Sequence, residues 1–215
     1  MRIGAAVLLC GLTPAWAFAQ APATALPEND ASIAIGWSGS DFQLQSYDRW
    51  RGGVLAAATA GHYWTDHVKT EIEAAWTTPG TDQIYEDFAY TGAPTYAVSD
   101  HTARDVRLGI THIYQFGRNA WVHPFVGAGV DLVRRAARTD RREQTRSVYL
   151  PPNRTTPVVI PPAHERRTDV FGQAVLKTGL KMYATERAFF NTELKVGIRE
   201  DVDHVVWKVG FGVDF

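Results

Sequence analysis

Eight stretches of this chain carry apolar side chains at every second residue, with small or charged residues between them. Successive side chains of a β-strand point to opposite faces, so each stretch reads as a strand with one bulky apolar face and one small, charged face. The stretches fall at about 31–39, 52–64, 67–77, 103–116, 121–133, 168–183, 188–199 and 205–215. In the third, Val68, Thr70, Ile72, Ala74 and Trp76 alternate with Lys69, Glu71, Glu73 and Ala75. No ten-residue stretch keeps a helical period.

The links between these strands alternate in length. Thr65-Asp66, residues 117–120 and residues 184–187 are short, whereas 40–51, 78–102 and 134–167 are long and 200–203 is short again. An antiparallel up-and-down meander is expected, with tight turns at one end and long loops at the other.

Eight antiparallel strands can close in two ways: a soluble carrier barrel, apolar inside, or a membrane barrel, apolar outside. Side-chain size separates them. The face opposite the bulky one holds Gly109, Gly127, Gly129, Gly179, Gly197, Gly210 and Gly212. Beside these glycines stand Lys69, Glu71, Glu73, Asp105, Arg107, Asp131, Lys177, Glu193, Lys195, Arg199, Lys208 and Asp214. An eight-stranded barrel has little interior room, so a charged lumen needs both space and counterions, and this face supplies both. The fold class expected is therefore all-β, an eight-stranded antiparallel transmembrane β-barrel with an ion-pair network in its lumen. Aromatics support that reading. Trp64, Tyr114, Phe116, Trp121, Tyr183, Phe189, Phe190 and Phe215 cluster near the short turns, and Trp37, Trp76 and Trp207 near the other ends, as two interfacial girdles.

The first residues, MRIGAAVLLCGLTPAWAFAQ, combine Arg2, an apolar run from Ile3 to Leu12 and the small-x-small pattern Ala17-Phe18-Ala19. Residues 1–19 are expected to be a cleaved signal peptide, 20–30 a flexible periplasmic lead-in and 31–215 the barrel. The apolar run is too short to span a bilayer as a helix. Cys10, the only cysteine, leaves with the signal peptide, so the mature chain has neither disulfides nor thiolate chemistry.

The last strand, VVWKVGFGVDF, sets Trp207, Val209, Phe211, Val213 and Phe215 on one face. This pattern resembles the C-terminal strand of Gram-negative outer-membrane β-barrels, where it is the signal read by the barrel-assembly machinery. The chain as a whole resembles the small eight-stranded OmpX/OmpA/OmpW-like group. That resemblance implies residence in the cell outer membrane, among its lipids and lipopolysaccharide, with periplasmic termini and external long loops.

The longest of those loops is unusually basic. Between residues 134 and 168 stand Arg134, Arg135, Arg138, Arg141, Arg142, Arg146, Arg154, Arg166 and Arg167, against Asp140, Glu143 and Glu165. The loop carries +6 in a chain of net charge −1. Arginine forks onto phosphate and carboxylate, so these nine residues are candidates for contact with lipopolysaccharide phosphates or an acidic surface ligand. A solvated, Pro-rich extension is the plainer alternative.

Signals for chemistry are sparse. Lipid A deacylases of this fold carry His and Ser close along one wall strand, but here His112 and His123 lack such a Ser. Ser99 and His101 lie two apart within a long link. His62 and His67 flank a short turn and read as interfacial residues rather than a metal pair. Glu71 and Glu73, facing lysines and arginines, read as ion-pair partners rather than acid–base catalysts. No enzyme activity, cofactor, metal or nucleic-acid partner is expected, and the barrel is expected to be a monomer. The expected role is structural or interactive at the cell surface. A narrow solute pore is the alternative of a different class.

Overall fold

In the computed structural model, residues 27–44, 47–78, 80–90, 93–116, 121–150 and 154–215 are described. Their elements are all β-strands: β1 (Asn29–Leu44), β2 (Tyr47–Tyr63), β3 (Val68–Thr77), β4 (Gly80–Tyr90), β5 (Ala93–Gln115), β6 (Val122–Arg141), β7 (Gln144–Leu150), β8 (Arg154–Ile160), β9 (Ala163–Tyr183), β10 (Ala188–Ile198) and β11 (Val202–Asp214). The expected signal peptide and most of the expected lead-in lie outside the described residues.

Eight of these strands close on themselves. The order β3-β2-β1-β11-β10-β9-β6-β5 is completed by antiparallel pairing of β3 with β5, from Val68↔Tyr114 to Trp76↔Val106. Closure gives every ladder a partner and leaves no open edge in the wall. Backbone bonds between Asn29 and Phe215, at 3.0 and 2.9 Å, extend the β1–β11 seam at the short-turn end. The first strand thus begins at Asn29, two residues before the expected boundary.

Inside and outside are inverted relative to a soluble protein. Ile33, on the outer face, is 69% exposed, while Lys208, on the inner face, is 1% exposed. Ile35, Ile72, Leu108, Val130, Leu132 and Leu176 join Ile33 on the outside. Each such side chain left in water forgoes roughly 1.5–3 kcal/mol of burial, so this wall is built for hydrocarbon. The inner face also buries Leu55, Ala34, Ala57, Ala75 and Val206 as a small apolar cluster.

The long links depart from the expectation of loops. β1 and β2 stay paired out to Leu44↔Tyr47. β4 continues the ladder above β3, pairing with β5 from Gly80↔Ala103 to Tyr90↔Ala93. β6 and β9 stay paired out to Arg141↔Ala163, and β7–β8 forms a separate two-stranded sheet between them. The cause is local. Stretches such as Arg154–Ile160 are rich in β-branched residues, and pairing satisfies backbone groups that a long open loop would leave to water. Pro157 is tolerated because both strands of that small sheet are edges.

Candidate functional site: the charged lumen and the outer arginines

Alternation aims one residue in two of each wall strand at the barrel axis, and the charged ones meet there in tiers. At the short-turn end, Asp30 takes Lys69 at 2.7 Å and Lys181 at 3.1 Å, and Lys181 reaches Asp214 at 2.6 Å. Tyr63 Oη donates to Asp30 at 2.9 Å, and Tyr183 Oη donates to Asp214. Lys181 Nζ also sits 3.8 Å from the centroid of the Phe189 ring.

Lys69 links this tier to the next through Glu71, at 3.0 Å. Lys177 pairs with Glu71 and stands 3.6 Å from Glu193. Lys208 bridges Glu193, at 3.1 Å, and Glu73. Lys195 bridges Glu73, at 2.8 Å, and Asp131, at 2.7 Å. Over both tiers six carboxylates meet five ammonium groups, so the interior nearly neutralises itself. Gly109 makes part of the room: a Cβ there would lie 2.1 Å from Asp131 Oδ1.

A third tier closes the long-hairpin end. Arg107 donates to Ser38 Oγ at 2.9 Å and to Asp105 at 3.1 Å. Arg135 reaches Asp105 at 3.0 Å and Asp203 at 3.1 Å. His204, fully buried, pairs its Nδ1 with Gln173 Nε2 at 3.0 Å.

Some expected positions lie elsewhere. Arg199 is exposed and stacks its guanidinium 4.8 Å from the Phe171 ring, because it stands at the β10–β11 turn where alternation has ended. Tyr183 and Phe189 belong to the lumen rather than to an aromatic girdle. Asp30, Tyr63, Lys181, Arg135, Asp203 and His204 complete the lumen and were not among the residues expected there. Asp30 lies within the expected lead-in, while Lys181 carries a signal in its parity with Lys177.

The glutamates Glu71, Glu73 and Glu193 bring ligand oxygens within 4.8 Å of one another. Lys177 and Lys208 already occupy the cation positions among them, so the cluster is an ion-pair node. His62 bonds Asn29 at 3.0 Å and His67 Nδ1 donates to the Gln115 carbonyl at 3.0 Å, and both rings pack on outer aromatics, Trp64 and Tyr114.

The nine arginines of 134–167 do not form one site. Arg135 turns inward. Arg138 pairs with Asp140, and Arg167 with Asp169 at 2.8 Å. Arg141 donates to the Pro161 carbonyl at 3.2 Å, and the Arg146 guanidinium lies 4.7 Å from the Tyr96 ring. Arg134, Arg142, Arg154 and Arg166 are exposed. His164 also bonds Asp140, at 2.8 Å, and together with Arg138 it holds that carboxyl below the usual carboxylate range.

Ser99 and His101 are both buried on the inner side of β5, above the wall. His101 Nδ1 pairs with Thr139 Oγ1 at 2.8 Å, a hydroxyl where a hydrolase would place an acid.

On the outer face, Trp207, Val209, Phe211, Val213 and Phe215 line β11. Trp37 and Trp207 face each other across the β1–β11 seam. Trp64 and Trp121 stand at the short turns.

The chain resembles two solved barrels. Neisserial surface protein A shares 16% identity, with 87% of this chain and 96% of that one covered at a TM-score of 0.51. OprG from Pseudomonas aeruginosa shares 15% identity, with 88% and 97% covered at a TM-score of 0.50. No curated protein sequence matches significantly. The family model for the outer membrane protein beta-barrel domain matches residues 3–215, which include the inverted wall and charged lumen, and the chain belongs to that family of Gram-negative outer-membrane proteins.

Proposed function

We propose that this barrel is a sealed, non-catalytic element of the outer membrane that acts through its wall and external hairpins. The observation that carries the reading is the unbroken ion-pair chain from Asp214 and Asp30 through Glu71, Glu193 and Glu73 to Asp131. A narrow barrel whose axis is filled by paired charges offers no path for hydrated solutes. Its roles are membrane integrity and surface contact, with outer-membrane lipid and lipopolysaccharide as its surroundings and an acidic surface ligand as a candidate partner of the hairpins. The outward strip from Trp207 to Phe215 is its signal to the barrel-assembly machinery. It works as a monomer.

The reading is tested in planar bilayers. The refolded chain is expected to add no steady single-channel conductance over bare lipid. Discrete, reproducible channel steps would overturn the sealed reading in favour of a narrow pore. A hydrolase reading has its own test: expression is expected to leave the acyl chains of lipid A unchanged in mass.

A further inference from the structure

The outward faces of β5, β6 and β9 change character from apolar to basic toward their long-hairpin ends. Leu108, Leu132 and Val170 are exposed apolar side chains of the wall. Toward the long-hairpin end of the same outer faces, Arg134 follows Leu132 directly, Arg104 follows Leu108 past Val106, Arg138 follows Arg134 past Ala136, and Arg166 follows Val170 past Thr168, and all four arginines are exposed. Register fixes their arrangement. Arg134 lies between Val106 and Val170, Arg104 beside Ala136, and Arg138 directly opposite Arg166. Two residues along a strand advance about 7 Å, so the patch rises about 13 Å from Arg134 to Arg138 across three neighbouring strands.

Three features single out this patch. Arg104, Arg134 and Arg166 have no acidic partner among the described residues, and Arg138 shares Asp140 with His164. Like charges directly opposite on a sheet destabilise it unless an anion stands between them, and Arg138 and Arg166 are so placed. The patch also faces sideways. A soluble polymer approaches the hairpins from outside the membrane, whereas a lipid headgroup stands beside the wall at the top of the hydrocarbon, where these guanidinium groups are.

Resting on the membrane-embedded barrel of the preceding reading, we propose that Arg104, Arg134, Arg138 and Arg166 form a lateral docking surface for the phosphates of outer-leaflet lipopolysaccharide. Its acyl chains lie against Leu108, Leu132 and Val170. Arginine forks bind phosphate bidentately, and the adjoining apolar wall supplies the second half of an amphiphile's site.

The test uses the full chain refolded in detergent, with bisphosphorylated lipid A, dephosphorylated lipid A of the same acyl chains, and inorganic phosphate as probes. The wild-type barrel is expected to bind the phosphorylated lipid about tenfold more tightly than the dephosphorylated one. Combined Arg104→Gln, Arg134→Gln, Arg138→Gln and Arg166→Gln should abolish that preference. Arg142→Gln with Arg154→Gln, on the outer hairpin, should leave it intact. If the fourfold variant does not fold, the Arg104→Gln/Arg134→Gln pair is expected to lose part of the preference.

A folded fourfold or twofold variant with undiminished preference overturns the proposal. So does loss of preference in the Arg142→Gln/Arg154→Gln variant alone, which would move the site to the hairpin. Inorganic phosphate binding as tightly as the lipid would also overturn it, leaving a free-anion site. None of these outcomes touches the conductance on which the sealed reading stands.

Discussion

Lys195 shows what a single residue contributes to this interior. Its ammonium group, on β10, bridges Glu73 of β3 and Asp131 of β6, carboxylates that flank Gly109 of β5 across the lumen from β10. Removing one member of a buried charged set leaves its partners desolvated and unpaired, which costs about 3–5 kcal/mol. Lys195→Met is therefore expected to lower stability by that amount in urea unfolding from lipid vesicles, whereas Lys195→Met with Asp131→Asn should recover part of the loss. Equal destabilisation of single and double variants would refute the bridge. Parity in the sequence placed Lys195, Asp131 and Glu73 on one face, because alternation is a property of neighbouring residues. It said nothing of which partners meet, since strand tilt decides that. Tyr183 and Phe189 are not girdle residues because nearness to a turn fixes only height, whereas their parity with Lys181 and Glu193 puts both in the lumen.

At the scale of elements, the wall strands were legible and the hairpins beyond them were not. Hydrophobic alternation marks a strand where one face meets hydrocarbon, and it fades where both faces meet water. β4, β7, β8 and the outer ends of β1, β2, β5, β6 and β9 lie beyond the apolar wall, with polar residues and prolines that mimic loop composition. The β7–β8 sheet pairs only with itself and packs on β5 through Gln144, which accepts from the Val98 amide at 3.1 Å. Replacing residues 144–160 by a short turn between Arg141 and Ala163 should thus leave the barrel folded. Cold-SDS gel migration is expected to keep its heat-dependent shift. Loss of the shift would show that the small sheet is needed for closure.

For the whole molecule, the decisive property is which side of the wall meets lipid. Trp37, Trp76 and Trp207 stand outward toward one interface, and Trp64 and Trp121 toward the other. Trp207 and Phe215 are separated along β11 by a tilted rise of about 20 Å, matching the thickness of an apolar band. Tryptophan emission in vesicles is expected to be quenched strongly by lipids brominated near the headgroup, and weakly by acrylamide in water. The reverse order would turn the barrel inside out. The orientation is legible in the sequence, because glycines opposite bulky residues have a use inside a narrow tube and little use on a wet surface.

The lumen contacts also set a clock. Lys177 finds Glu71 across 106 residues, Lys208 finds Glu73 across 135, and Lys181 finds Asp30 across 151. None of these pairs can form while the sheet is open, since every one joins strands from distant parts of the chain. Long-range pairings reward the chain only after the entropy of closing the intervening loop has been met, so they come late and make folding slow. The charges at the centre of this barrel are therefore the last contacts to be made, and their formation reports that the first strand has met the last.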